Sequence, residues 1–211
     1  MILLACPTHK ELDAALRHRN TPMVLPVVVG VGLVAAAATT SQALARHPVR
    51  GVLHLGIAGS FDLDLAPLGS LAVATAEIWP EYGLRHGDGR LTPLSFPMLP
   101  DLPTPHIPLD PETAATAMGL SLPCSWARGP ALTVAGVSAD PQRTQELHQH
   151  WGGLTESMEG FGVALAAWQA GVPFLEVRAI SNQVGERSKH NWRIGPALTA
   201  LGQGLAQLVG G

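Results

Sequence analysis

The chain has 211 residues, of which 46% are hydrophobic and 14% charged, and its net charge is −3. This length can bury a sizeable core, and the slightly acidic balance excludes the basic footprint of a nucleic-acid binder. Two cysteines, Cys6 and Cys124, cannot build a metal framework, and no apolar run reaches the roughly 20 residues that cross a bilayer.

These bounds predict a soluble, cytoplasmic protein, one domain over 1–211, with no membrane and no nucleic-acid partner. The low charge content fits a surface partly covered by another subunit, and equally an Ala/Gly-rich composition. In chain order, Met1–Ala5 reads as a strand, followed by a helix from about His9 to Arg19. Met23–Val29 is a second strand, which Pro26 restricts to an edge or a bulge. Gly30-Val31-Gly32 makes a turn into an Ala-rich helix, Leu33–Arg46, ended by Pro48. Gly51–Ile57 and Ser70–Trp79 are strands.

Thr92–Pro111 holds seven prolines, so no regular element is expected there. It reads as a surface insertion, or as a lid or subunit contact. Asp110-Pro111-Glu112 has the form of an N-cap, a proline at the first helical position and an acid in the first turn. A short helix to about Met118 should follow. Beyond it come a strand at Ala131–Val137, helices at Pro141–Trp151 and Met158–Ala170, a strand at Phe174–Ile180 and a helix at Pro196–Leu208. Alternating strands and helices predict an α/β fold with helices on both sheet faces.

Three places carry candidate chemistry. Glu159, in Ser157-Met158-Glu159-Gly160-Phe161, opens a helix. There it can complement the helix dipole, or its two oxygens can accept from the two hydroxyls of a ribose. Ser181 and Asn182 end the apolar strand that starts at Phe174. They close a turn, or they stand at the carboxyl rim of the sheet, where ligands bind in open α/β folds. Glu11 follows the first strand as a first-turn acid, or as a carboxylate aimed across that rim. Gly30-x-Gly32 lacks the third glycine and acidic partner of a dinucleotide fingerprint. His148-x-His150 lacks the i, i+4 spacing of a helical metal pair.

Taken together, Met158-Glu159, Asn182 and the intervening Val-Pro-Phe-Leu-Glu-Val-Arg-Ala-Ile-Ser resemble the C-terminal signature of the purine nucleoside phosphorylase and hydrolase superfamily. Gly30-Val31-Gly32 and Leu55-Gly56-Ile57-Ala58-Gly59 are similar to further pieces of it. The branch most like this chain holds the methylthioadenosine/S-adenosylhomocysteine nucleosidases and the futalosine hydrolases. The resemblance implies a three-layer α/β/α fold with a mixed central sheet, nucleoside phosphorylase/hydrolase-like. It also implies a homo-oligomer, a small-molecule purine nucleoside as substrate, and no metal or organic cofactor.

Carried over by position, the resemblance makes Glu11 the general base and Asn182 the base-binding residue. Met158 would pack under the ribose and Glu159 would grip its hydroxyls. Phe161, Ser181, Ile57 and Gly59 would complete the substrate site. Three positions depart from the methylthioadenosine pattern. Asn182 stands where an Asp is usual, Ile57 replaces a serine, and Ser157 replaces the glutamate that often precedes the Met.

Asn182 bears on the base. Adenine presents an amino donor beside N7, whereas a 6-oxopurine presents two acceptors, O6 and N7. An Asn amide supplies donors and cannot ionise. The resemblance with Asn at this position implies hydrolysis of futalosine, a hypoxanthine nucleoside; the alternative is an adenine-releasing nucleosidase acting on methylthioadenosine, S-adenosylhomocysteine or aminodeoxyfutalosine. The benzoate of futalosine calls for a cation, for which Arg85, His86, Arg187 and Lys189 are candidates. No Lys or Arg lies between Gly51 and Glu81, which favours water over phosphate as nucleophile.

Overall fold

The structure is a computed structural model, and it describes residues 1–17, 23–87, 91–92, 94–102 and 104–210. The strands are β1 (Ile2–Cys6), β2 (Val24–Val28), β3 (Val52–Ser60), β4 (Leu71–Ile78), β5 (Leu84–Arg85), β6 (Leu91–Thr92), β7 (His106–Pro108), β8 (Ala127–Thr133), β9 (Thr155–Ser157) and β10 (Phe174–Gln183). The helices are α1 (His9–Leu16), α2 (Leu33–Arg46), α3 (Pro111–Met118), α4 (Pro141–Trp151), α5 (Gly160–Gln169) and α6 (Ile194–Val209).

The three layers follow from the period-2 alternation of the strands. Along β1, Ile2, Leu4 and Cys6 face a core shared with α1, α3 and α6. Leu3 and Ala5 face the opposite core, shared with α2 and α5. Both faces of β1 are therefore apolar, and all five of its residues are buried. This is the pattern of a parallel sheet covered on both sides.

The sheet is mixed. β1 pairs in parallel with β2 and β3, and β3 pairs in parallel with β10. β10 then pairs with β4 in the antiparallel sense, β4 with β8 in parallel, β8 with β9 in parallel, and β9 with β3 antiparallel. β3, β10, β4, β8 and β9 thus close on themselves, and β1, β2 and β7 extend this ring. Closure removes exposed edges from those five strands.

Local chemistry sets most helix ends. The Thr8 hydroxyl accepts from the Glu11 N–H at the start of α1. Asp110 and Asp140 do the same for α3 and α4, each followed by a proline that needs no hydrogen-bond partner. Gly119 and Gly152, with φ of 66° and 63°, end those two helices in the left-handed region that glycine tolerates. Pro26 lies on β2, which among the described residues pairs only with β1 and is an edge, as its missing N–H requires.

Several expected boundaries move. The expected extension of the first helix to Arg19 lies outside the described residues, as do Pro93 and Pro103. The proline-rich stretch is not free of regular structure. His106–Pro108 adds to β4 as an antiparallel strand, with Ile107 opposite Glu77. Pro108 is tolerated because β7 is itself an edge strand. The strand expected at Ala131–Val137 instead runs from Ala127 to Thr133. Pro130 is accommodated where the β4–β8 register shifts between Ala74 and Ala76. The helix expected from Met158 begins at Gly160, preceded by the short strand β9. β10 continues three residues past Ile180.

Candidate active site

The carboxyl ends of β1, β3 and β10 bring the sequence candidates together. Glu11 is buried in the first turn of α1. Its Oε1 accepts the backbone N–H of Ile57 at 3.0 Å, and its Oε2 accepts the Thr8 hydroxyl at 2.5 Å. The carboxylate is therefore held on both oxygens, one by a strand and one by its own helix cap. Ile57 enters the site through its main chain, while its side chain packs against the core.

Glu159 is 5% exposed. It occupies the N-cap position of α5 without capping it. Its Oε1 accepts the Gly32 N–H at 3.2 Å, and its Oε2 accepts the Met158 N–H at 3.3 Å. The Gly30-Val31-Gly32 turn thus serves as a clamp on Glu159, and Gly32 adopts a φ of 93° that favours glycine. Burial pushes the Glu159 carboxyl above its usual range, and the nearby Arg178 guanidinium partly counters this.

Asn182 sits beside a bulge. Ile180 pairs with Ala58 and Asn182 with Gly59, so Ser181 has no partner in the ladder. Bulges re-aim side chains. Here the Ser181 hydroxyl lies 2.8 Å from Asn182 Oδ1 and 3.2 Å from the Ala58 carbonyl. Asn182 Nδ2 donates to the Gln183 carbonyl at 2.8 Å. The amide is therefore pinned with its oxygen towards Ser181, and its second N–H is free for a ligand. A Cβ on Gly59 would stand 3.2 Å from Asn182 Nδ2, so glycine keeps this approach open.

Phe161 is not brought to this site. It has no exposed surface, its N–H donates to the Thr133 hydroxyl at 2.7 Å, and its ring packs against Trp79. It is a core residue, because α5 turns inward immediately after Glu159.

Sequence reading missed the cation at the centre. Arg178 of β10 is 1% exposed. Its Nε donates to Glu176 Oε1 at 2.6 Å. Its Nη2 donates to His54 Nε2 at 2.7 Å and to the Ser157 hydroxyl at 3.1 Å. Its Nη1 has no hydrogen-bond partner and lies 3.8 Å from Glu159 Oε2. A Cβ on Gly56 would collide with Nη1 and stand 3.2 Å from Glu11 Oε1. Gly56 thus leaves open the space between this cation and Glu11.

Burial drives the His54 pKa down to about 3, and the adjacent Arg178 adds to the shift. His54 is therefore neutral, donating from Nδ1 to the Ala5 carbonyl at 2.9 Å and accepting at Nε2. Burial opposes charge on Arg178, but the Glu176 and Glu159 carboxylates outweigh it and hold the guanidinium ionised. A sequence signal did exist: Glu176 and Arg178 are two charges on the same face of an otherwise apolar strand.

Beyond Asn182 an open groove of about 330 Å³ runs between Gln183–Glu186 and α4, walled by Phe61, Thr144 and His148. Arg187 lies over the Trp192 ring, 5.4 Å from its centroid. Arg85 lies on β5, and His86 follows it with Nε2 3.1 Å from the Thr92 hydroxyl. Among the described residues no His/Cys/Asp/Glu group could hold a metal ion, and no helix is long and apolar enough to cross a membrane.

The site pairs a buried carboxylate on the α1 side with another at the start of α5, an amide donor on the β10 bulge and one guanidinium between them. Comparisons with known proteins identify the family. The family model of the phosphorylase superfamily matches residues 14–207. The chain belongs to that superfamily. It is 40% identical over 191 residues to the futalosine hydrolase of Streptomyces coelicolor, covering 87% of this chain and 77% of that protein. It is 35% identical over 184 residues to the futalosine hydrolase of Thermus thermophilus, covering 85% and 78% respectively. Among solved structures, a methylthioadenosine/S-adenosylhomocysteine nucleosidase from S. pneumoniae superposes with a TM-score of 0.75 at 20% identity, covering 99% of this chain and 98% of that one.

Proposed function

We propose that this protein is a futalosine hydrolase, cleaving the N-glycosidic bond of futalosine to release hypoxanthine and dehypoxanthine futalosine in menaquinone biosynthesis. The observation that carries this reading is the fixed Asn182 amide. Its oxygen accepts from Ser181 and one N–H goes to Gln183, so the second N–H can be offered to the N7 or O6 acceptor of a 6-oxopurine. The similarity to two futalosine hydrolases supports the same choice.

In this reading Glu159 accepts the ribose hydroxyls, with Met158 beneath the sugar. As the C1′–N9 bond lengthens, the sugar gains positive charge and the base negative charge. Asn182 donates to the departing base and stabilises that charge. Glu11 orients a water and takes its proton, a role worth typically about 10²–10⁴-fold. Arg178 Nη1, buried without a hydrogen-bond partner 3.8 Å from Glu159 Oε2, would donate to that water and hold Glu159 by charge.

Incubation with futalosine, aminodeoxyfutalosine and methylthioadenosine, with and without phosphate, followed by chromatography of the free base, tests the proposal. Hypoxanthine release from futalosine without phosphate is expected. Adenine release as the main reaction, or a strict need for phosphate, overturns it.

A further inference from the structure

Behind Arg178 lies a second buried carboxyl, on β4. Glu77 and Glu176 are both wholly buried. Of the four oxygens of these two carboxyl groups, two have a donor and two do not. The Phe161 N–H donates to the Thr133 hydroxyl oxygen, so the Thr133 hydroxyl proton goes to Glu77 Oε2, at 2.7 Å. Arg178 Nε donates to Glu176 Oε1. This leaves Glu77 Oε1 and Glu176 Oε2, buried and without a donor. Both converge on the α-carbon of Gly160, where an added Cβ would collide with Glu77 Oε1 and stand 2.7 Å from Glu176 Oε2. Two ionised carboxylates facing each other out of water repel strongly, and a single proton between them removes both the repulsion and the missing hydrogen bond.

The geometry points to Glu77 as a neutral carboxylic acid that donates its proton to Glu176, and to this acid–carboxylate pair as the device that positions Arg178 against the catalytic carboxylates. The proton belongs on Glu77 because Glu176 carries the bond to the guanidinium. The directions of the shifts agree: burial and then the Glu176 charge push Glu77 well above the usual carboxylate range. Burial also opposes ionisation of Glu176, but Arg178 outweighs it and holds that carboxyl low. The charged groups that act on Glu77 are Glu176 and Arg178 of β10. From β8 it meets Thr133, and from the start of α5, Gly160. His54 of β3 and Glu159 are partners of Arg178.

The pair does two things for the site. It supplies Arg178 with one net negative charge rather than two, so the guanidinium keeps an attraction for Glu159 and for any oxygen placed at its free Nη1. It also holds the guanidinium plane through Nε, while Ser157 and neutral His54 hold it through Nη2. Ser157 stands where a glutamate often precedes the Met, and here the counter-charge comes from β10 instead. Glu77 and Glu176 are positioning residues, since neither reaches the reacting atoms.

The consequence for rate rests on the hydrolytic reading above, but the shared proton does not. Infrared spectroscopy of protein carrying isotope-labelled glutamate should show the carbonyl stretch of a protonated carboxylic acid at neutral pH. That signal should weaken in Glu77→Gln, and also in Glu176→Gln, where the amide would donate to an ionised Glu77. A signal unchanged in both variants overturns the shared proton, and having two variants covers the case in which one does not fold. For turnover of futalosine, Glu77→Gln can still donate to Glu176 and should stay about tenfold or more above Glu77→Leu, which cannot. The alkaline limb of the kcat/KM profile should move to higher pH in Glu77→Gln. Equal rates for the Gln and Leu variants, or an unmoved alkaline limb, overturn the positioning role. If futalosine is not hydrolysed at all, the infrared result still decides the shared proton, so the two readings fail separately.

Discussion

The backbone N–H of Ile57 donates to Glu11 Oε1 at 3.0 Å, joining two residues 46 positions apart in sequence. The bond ties the first turn of α1 to the end of β3 and aims a buried carboxylate at the rim of the sheet. Replacing Glu11 by Gln keeps the shape and the acceptor but removes the base. Glu11→Gln is expected to lower hypoxanthine release by about 10²-fold or more, while nucleoside binding remains measurable by calorimetry. Turnover near the wild-type rate would remove Glu11 from the chemistry.

Asn182→Asp exchanges an amide donor for a carboxylate at a half-buried position. Ser181 can still donate to one oxygen, and the other, which loses the bond to the Gln183 carbonyl, can turn to solvent at this half-exposed position, so the fold should tolerate the change. The acceptors of a 6-oxopurine then lose their donor, which costs about 1–3 kcal/mol. Hypoxanthine release should fall roughly tenfold or more, with little change in Tm. Base release measured by chromatography beside a thermal melt separates the two effects. An unchanged rate would make Asn182 only a strand residue.

Gly56→Ala should be far more harmful than its size suggests. The added methyl would collide with Arg178 Nη1 and stand 3.2 Å from Glu11 Oε1. Neither neighbour can move freely, because Arg178 is held through Nε and Nη2 and Glu11 through both oxygens. The expected result is a loss of turnover on the order of 10²-fold and destabilisation of about 1–3 kcal/mol from overpacking. A variant as active as the wild type would show that the space at Gly56 is not needed.

The raised Glu77 carboxyl makes a prediction about stability. A folded-state pKa above the unfolded one stabilises the fold fully below the unfolded value, and that contribution is lost as pH rises towards the folded value. Within that window the folded state holds one more proton than the unfolded state. Relative to Glu77→Gln, the wild type should lose about 1.4 kcal/mol of stability per pH unit from about pH 5 upward. Denaturant melts of both proteins at several pH values check this. A difference that stays constant with pH would place an ionised carboxylate at Glu77.

Much of the fold was legible in the sequence because local rules decide it. The proline and aspartate at the start of α3 and of α4 define those ends through capping alone. The two apolar faces of β1 announce a doubly covered sheet. β7 and β9 were not legible. They are three residues each, and their strand state comes from the ladders they join rather than from their own propensity.

The residue types at Glu11, Glu159, Ser181 and Asn182, and their order along the chain, were set by the sequence by itself. So were the family resemblance and the base preference that Asn182 suggests. Only the tertiary structure decided which atoms of those residues are free. The bulge at Ser181 turned the Asn182 amide, and the Gly32 turn clamped Glu159. The fold also placed Arg178, Glu176, His54 and Glu77 in one buried cluster drawn from β3, β4 and β10. A charge on a strand reads as solvated or buried only once its neighbours on other strands are known. Its protonation depends on that burial and those neighbours, and neither is a property of local sequence.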